Sequence, residues 1–164
     1  MDAVIQSIVE FLANKIPNEV TVFIISLLPV LELRGGLIAA RILEMDVLRA
    51  FIVCFIGNMI PIPFILLFIR KIFDWMRHWK HLGKVIVKLE QKADKHRSKI
   101  EKYGIWGLLL VVAIPLPGTG GWTGALVAAI MDIRMKHALP VIALGVFIAG
   151  LIVAGLSFGL FGAV

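Results

Sequence analysis

The spacing of apolar positions shifts repeatedly along the chain, and the shifts divide it into elements. From Asp2 to Ile16, Val4, Ile5, Ile8, Phe11, Leu12 and Ile16 recur at three- and four-residue intervals. This predicts an amphipathic helix that Glu10, Asn14 and Lys15 keep at a membrane interface rather than across it. Beyond Pro17 the arm Val20 to Leu31 has twelve residues, about 18 Å of helix, against roughly 30 Å of hydrocarbon. The returning arm, Leu37 to Met45, is shorter. Two half-length arms around Pro29 predict a re-entrant hairpin over 20–45; the alternative is one tilted span, Val20 to Ile42, with Pro29, Glu32 and Arg34 at its middle. Asp46 is placed to cap the next helix. Val47 to Ile69 is long enough to cross, and the run Asn58-Met59-Ile60-Pro61-Ile62-Pro63 interrupts it. Pro61 and Pro63 remove amide donors there, so Asn58 is read as satisfying a freed carbonyl or lining a pocket.

After Arg70 the pattern returns to stripes: Ile72, Trp75, Met76, Trp79 and Leu82, then Ile86, Leu89, Ala93, His96, Ile100 and Tyr103. These predict one or two surface helices with aromatics in the headgroup layer. From Gly104 the first pattern repeats. Ile105 to Ile114 leads into Pro115-Leu116-Pro117-Gly118-Thr119-Gly120-Gly121, Gly121 to Met131 returns, and Ala138 to Phe161 can cross. Adding 86 to residue numbers aligns Pro29 with Pro115, Gly35 with Gly121 and Asp46 with Asp132, so Asp132 is expected to cap the last span. The whole reads as an all-α integral membrane protein. It is an inverted-topology repeat, each unit a re-entrant helical hairpin plus a transmembrane helix, with amphipathic interfacial helices. The first repeat is 1–69 (hairpin 20–45, span 47–69), the basic segment 70–102, and the second repeat core 103–164 (hairpin 105–131, span 138–161). One span between the hairpins makes them enter from opposite faces.

Composition fixes the solvent. Hydrophobic residues make up 60% of the chain and charged residues 17%, and mean hydropathy is +0.95; a soluble domain of 164 residues could not hide that content. Residues 70–102 hold eleven of the seventeen Lys and Arg and four acids, a net +7 within a total of +6. That asymmetry puts the loop in the cytoplasm and both termini outside, with anionic lipid headgroups rather than nucleic acid as its partner. Lone Cys54 excludes a disulfide framework. Gly145, Gly150, Gly155 and Gly159 suit close helix contact, and a chain this small is expected to form a homodimer.

The candidate chemistry lies in the breaks. Arg34 has the fork to clasp a carboxylate or phosphate, and Glu32 is the candidate for a coupled proton or cation; a structural ion pair is the competing role. In the second break Thr119 and Thr123 offer hydroxyls, and Gly118, Gly120 and Gly121 offer backbone amides to an anion. Pro29, Pro61, Pro63, Pro115 and Pro117 are the helix breaks. Trp122 is either a cover for an amphiphile or an interface anchor. No Ser-His-acid set, metal-ligand cluster or paired carboxylate is found. No enzyme, cofactor or metal is therefore expected, and the coupling ion is left open with a proton as the candidate.

At Glu32-Leu33-Arg34-Gly35, Gly57-Asn58 through Pro61-Ile62-Pro63, and Pro115-Leu116-Pro117-Gly118-Thr119-Gly120, the chain resembles the bacterial small multidrug export protein family. That family is remotely similar to the DedA/VTT membrane protein superfamily, with paired re-entrant hairpins and transport or scrambling of lipids, including undecaprenyl phosphate. The resemblance implies a multi-pass protein of the bacterial cytoplasmic (inner) membrane, with Glu32 matching the acid of the first hairpin. In the DedA pattern an acid follows the proline-glycine turn and an arginine lies near the second turn; here Thr119 follows Gly118 and that arginine is missing. The expected function is a small secondary transporter moving an amphiphilic anion or lipid phosphate between the hairpins. A multidrug or organic-cation exporter and a nonenzymatic membrane scaffold are the alternatives.

Overall fold

The computed structural model describes residues 2–13, 15–77, 104–116, 118–131 and 133–159. Among them all regular structure is helical: α1 (Asp2–Ala13), α2 (Asn18–Leu27), α3 (Glu32–Ile42), α4 (Val47–Met59), α5 (Pro61–Arg77), α6 (Ile105–Ala113), α7 (Gly121–Ile130) and α8 (Met135–Ser157). The chain divides into two compact units, Met1–Pro61 with Val146–Val164, and Ile62–Gly145.

In the first unit α2, α3 and α4 pack on one another, and α1 lies against α2 and α3. What lets three helices approach so closely is the lack of a side chain at two positions. A Cβ on Gly36 would collide with Ser26 Oγ and stand 2.8 Å from Cys54 Sγ. One on Gly57 would stand 2.9 Å from the Phe23 carbonyl oxygen and 3.2 Å from Ser26 Cβ. Ser26 is thus held between α3 and α4, and its hydroxyl donates back to Val22 O at 2.8 Å, satisfying a buried polar group within its own helix. Asp46 caps α4 as expected, accepting from the Leu48 and Arg49 amides at 3.0 and 3.1 Å. Phe51 and Phe55 of α4 stack with centroids 6.4 Å apart, and both meet Phe147 of α8 edge-on, Phe51 at 5.4 Å. Gly150 admits Phe51 and Leu33 beside it.

The second unit repeats these contacts with different residues. A Cβ on Gly124 would strike Val112 Cγ2 and stand 3.6 Å from Ile142; one on Gly145 would stand 2.7 Å from Val112 Cβ. Val112 occupies the place of Ser26, between two glycines. The helices before each break end alike, at Leu28 (φ −73°, ψ 136°) and Ile114 (φ −78°, ψ 117°), which keeps the offset of 86. After the break the offset is 88. Leu43 (φ −85°, ψ 7°) matches Met131 (φ −83°, ψ 6°), Gly36 matches Gly124, and the Met45-to-Ala40 bond (2.9 Å) matches the Ile133-to-Ala128 bond (2.9 Å). In the first unit that six-residue bond closes α3 by doubling the chain back through left-handed Glu44 (φ +54°). The single register of 86 is therefore corrected: two extra residues are absorbed inside the second break.

Other boundaries move for physical reasons. The arms of the first hairpin are not Val20 to Leu31 and Leu37 to Met45: α2 ends at Leu27 and α3 resumes at Glu32, because Gly35 and Gly36 serve contact rather than turning. The prolines after Asn58 do not stop the span. Ile60 keeps helical angles (φ −56°, ψ −47°), and Pro61 and Pro63 fall in the first turn of α5, where a missing amide matters least. Val47–Ile69 and Met135–Ser157, 23 residues each, are both long and apolar enough to cross a membrane, and little of either is buried within the protein. On α4 the ridge Leu48, Ile52 and Ile56, continued by Ile60 just past its end, is exposed, as acyl chains require. The α5 helix runs to Arg77 rather than ending at Ile69, so the first residues of the basic segment prolong it; the predicted surface helices beyond lie outside the described residues. The last helix starts at Met135, and its expected cap, Asp132, lies outside the described residues.

Candidate functional site

Glu32 opens α3 directly after the first break. Its amide donates to Leu28 O at 2.9 Å, its side chain is 6% exposed, and its backbone stands at φ +50°. A left-handed conformation is costly for a residue with a Cβ, by about 1–2 kcal/mol, and strain of this kind collects at sites where a side chain is needed in one place. The residue 88 positions on is Gly120, also buried and also at positive φ, though in the extended region open only to glycine (φ +136°, ψ −167°) rather than the left-handed region of Glu32. The second unit thus uses at this point the residue that backbone sterics favour, and the first unit uses a carboxylate.

Arg34 follows two residues later, half-buried, and the Glu32 carboxylate acts electrostatically on its guanidinium. Both side chains sit in the first helical turn of α3, not in the loop expected from the sequence. The carboxylate also lies at the helix N-terminus, where the backbone dipole favours negative charge. Asn58 faces the interior of the first unit at 1% exposure, and its amide oxygen has no hydrogen-bond partner. The expected repair of a proline-freed carbonyl therefore does not account for that oxygen.

The second break is built differently. The Thr119 hydroxyl lies 2.7 Å from Ile114 O and 2.8 Å from Leu116 O, and accepts from the Leu116 amide at 3.2 Å. Thr123 donates to Gly118 O at 3.0 Å. Both hydroxyls predicted for substrate are used to tie the broken backbone to itself, which answers the membrane's demand that freed groups be satisfied inside protein. Gly118 and Gly120 take the positive φ (+85° and +136°) that the turn requires. Gly121 opens α7 and is buried. Of the predicted breakpoints, Pro29 and Pro115 lie at the starts of the two breaks, and Pro117 lies outside the described residues.

A cleft of ≈ 380 Å³ opens at the other end of the first unit, with Glu19, Glu44, Asp46 and Arg49 in its wall. Nothing in the sequence singled it out, because its residues come together only when the α3–α4 turn meets the start of α2. Glu44 there has φ +54°, the left-handed residue of the turn that ends α3. Among the described residues no three His, Cys, Asp or Glu side chains converge on a metal-sized site.

The family model described as "Putative small multi-drug export protein" matches residues 32–152. That is 121 of the 164 residues, and it takes in Glu32, Arg34, Asn58 and the whole second break. No curated protein and no solved structure gives a match.

Proposed function

The chain belongs to the small multi-drug export protein family, and from that premise we propose that it is a small secondary exporter of organic cations in the bacterial cytoplasmic membrane. Glu32 is the group that takes the cation or the coupling proton, and Arg34 is its internal counter-charge. The observation that carries this reading is the buried carboxylate at a left-handed position where the second unit has Gly120. A fold that needed only a turn there would hold glycine.

The mechanism follows from charge balance. A carboxylate buried beside one guanidinium is neutralised only while Arg34 stays close. An incoming cation or proton replaces that partner, releases Arg34, and changes which arrangement of the broken hairpin is favoured. Family membership favours this over the lipid-phosphate reading, in which Arg34 would be the primary ligand and Thr119 and Thr123 its helpers; both hydroxyls are already engaged with the backbone. It also sets the chain among transport proteins rather than enzymes.

Helix lengths support alternating access. Helices α2, α3, α6 and α7 have 10, 11, 9 and 10 residues, about 14–17 Å each, half of a hydrocarbon core. Two such hairpins separated by one crossing span would be inverted repeats, with the basic 70–102 loop in the cytoplasm against anionic headgroups and a second copy of the chain completing the assembly.

The test is export of ethidium and of tetraphenylphosphonium from cells lacking their own drug pumps, with folding of each variant checked by size-exclusion in detergent. Glu32→Gln is expected to bring export down to the empty-vector level, while Arg34→Gln retains a measurable fraction. Loss in Arg34→Gln with export kept in Glu32→Gln would replace this reading with an anion carrier. Wild-type protein that moves neither dye would refute cation export.

A further inference from the structure

Helices α3 and α4 are antiparallel, joined by the doubled-back turn from Leu43 to Asp46. Their buried residues pair at steps of four, one helical turn on each side. Ala40 and Ala50, both fully buried, lie next to the turn on α3 and α4. Gly36 and Cys54, one turn on, are in direct contact. One further turn on each helix reaches Glu32 and Asn58, 6% and 1% exposed. The Asn58 amide oxygen at this level is buried and without a hydrogen-bond donor. An ionised carboxylate offers no proton to it, and a protonated one does.

We propose that Glu32 and Asn58 together form a proton site: the protonated Glu32 carboxyl donates its O–H to the Asn58 amide oxygen, and the ionised carboxylate is held by Arg34. This rests on the export reading for its use, since it supplies the coupling ion of the same site. Protonation forms one O–H bond on the carboxylate and releases nothing but the ion pair.

The surroundings leave few competing charges. On its own helix Glu32 faces Arg34, with Arg41 at the far end. From α4 come Arg49, also at the far end, and the Cys54 thiol one turn away. From α2 comes Glu19, in the wall of the distant cleft, and from α1 exposed Glu10. The stretch Val146 to Ser157 carries no charge. The positions 88 residues on, Gly120 and Val146, are apolar, so the repeated helical unit does not require a polar pair here.

The experiment is an infrared pH titration of the purified full chain in lipid nanodiscs without substrate. Glu32→Gln identifies the carboxyl band, and carbon-13 asparagine marks the amide carbonyl of only three residues, Asn14, Asn18 and Asn58, with Asn58→Leu assigning the third. In the wild type the Asn58 carbonyl band is expected to shift at the same pH as the Glu32 band. Asn58→Leu is expected to weaken proton affinity about tenfold, moving the Glu32 midpoint down by about one pH unit. A midpoint that stays put or moves up overturns the proposal, the latter because it would mean that the amide N–H₂ serves the ionised form. A midpoint that sodium displaces in competition overturns it in favour of a metal-cation site. If Asn58→Leu does not fold, the two wild-type bands decide alone, and titration apart refutes the pairing. Failure here with dye export intact removes the proton site and leaves the exporter; coincident titration without dye export does the reverse.

Discussion

Replacing Glu32 by Ala and, separately, by Gly isolates the backbone cost at the first break. Both variants lose the carboxylate and the interaction with Arg34, so those losses cancel in the comparison. What differs is the Cβ at φ +50°. A left-handed conformation costs an L-residue about 1–2 kcal/mol that glycine does not bear. Glycine loses roughly 0.5–1 kcal/mol more in backbone entropy on folding. The balance makes Glu32→Gly more stable than Glu32→Ala by about 0.5–1 kcal/mol. At an ordinary exposed helical position the order is reversed, with Ala ahead by about 1 kcal/mol; Arg41, exposed in the last turn of the same helix, provides that control. The assay is reversible unfolding by SDS in mixed micelles, followed by tryptophan fluorescence, with the four variants at one pH. The signature is opposite signs at residues 32 and 41. If Ala is ahead at both, Glu32 is not in the left-handed region, and its equivalence with Gly120 loses its basis.

Two further outcomes follow from local geometry. Gly36→Ala places a methyl against Ser26 and Cys54 and is expected to destabilise by about 1–3 kcal/mol. Adding Ser26→Gly should restore part of that, and a double-mutant cycle with no coupling would refute the contact. Asp46→Ala removes the cap whose oxygen accepts from two amides and should cost about 1 kcal/mol, measured in the same micelles and unchanged in dye export.

Much of the architecture was legible because hydrophobic period and proline report it directly. The amphipathic first helix, both breaks and both long apolar helices follow from where apolar runs are too short or long enough. What sequence could not show is which glycines turn the chain and which let helices touch. Gly35 and Gly36 look like turn residues, yet they lie inside α3, and that misreading displaced Glu32 and Arg34 from a helical turn into a loop. The two-residue change in register was hidden for the same reason, since Gly35 with Gly121 is a plausible pairing until contacts identify Gly36 with Gly124. Of the site, Glu32, Arg34 and Asn58 were chosen for carrying polarity at membrane depth. The left-handed backbone of Glu32 and the vacant acceptor of Asn58 have no sequence signal. Thr119 and Thr123 were chosen for their hydroxyls, and the bonds these make to the broken backbone have no sequence signal. The aromatic cluster joining Phe51 and Phe55 to Phe147 spans nearly a hundred residues and leaves no local trace.

The seating of Ser26 between Gly36 and Gly57 has a mechanical consequence. A helix held on two sides at backbone distance cannot roll about its own axis without driving its neighbouring side chains, Val22 and Ile25, into the flanking backbones, and it cannot slide lengthwise past the same point. Helices α2, α3 and α4 are pinned to one another at this point, so the rearrangement that follows release of Arg34 has its joints at the first break or outside the block and leaves the packing around Ser26 unchanged.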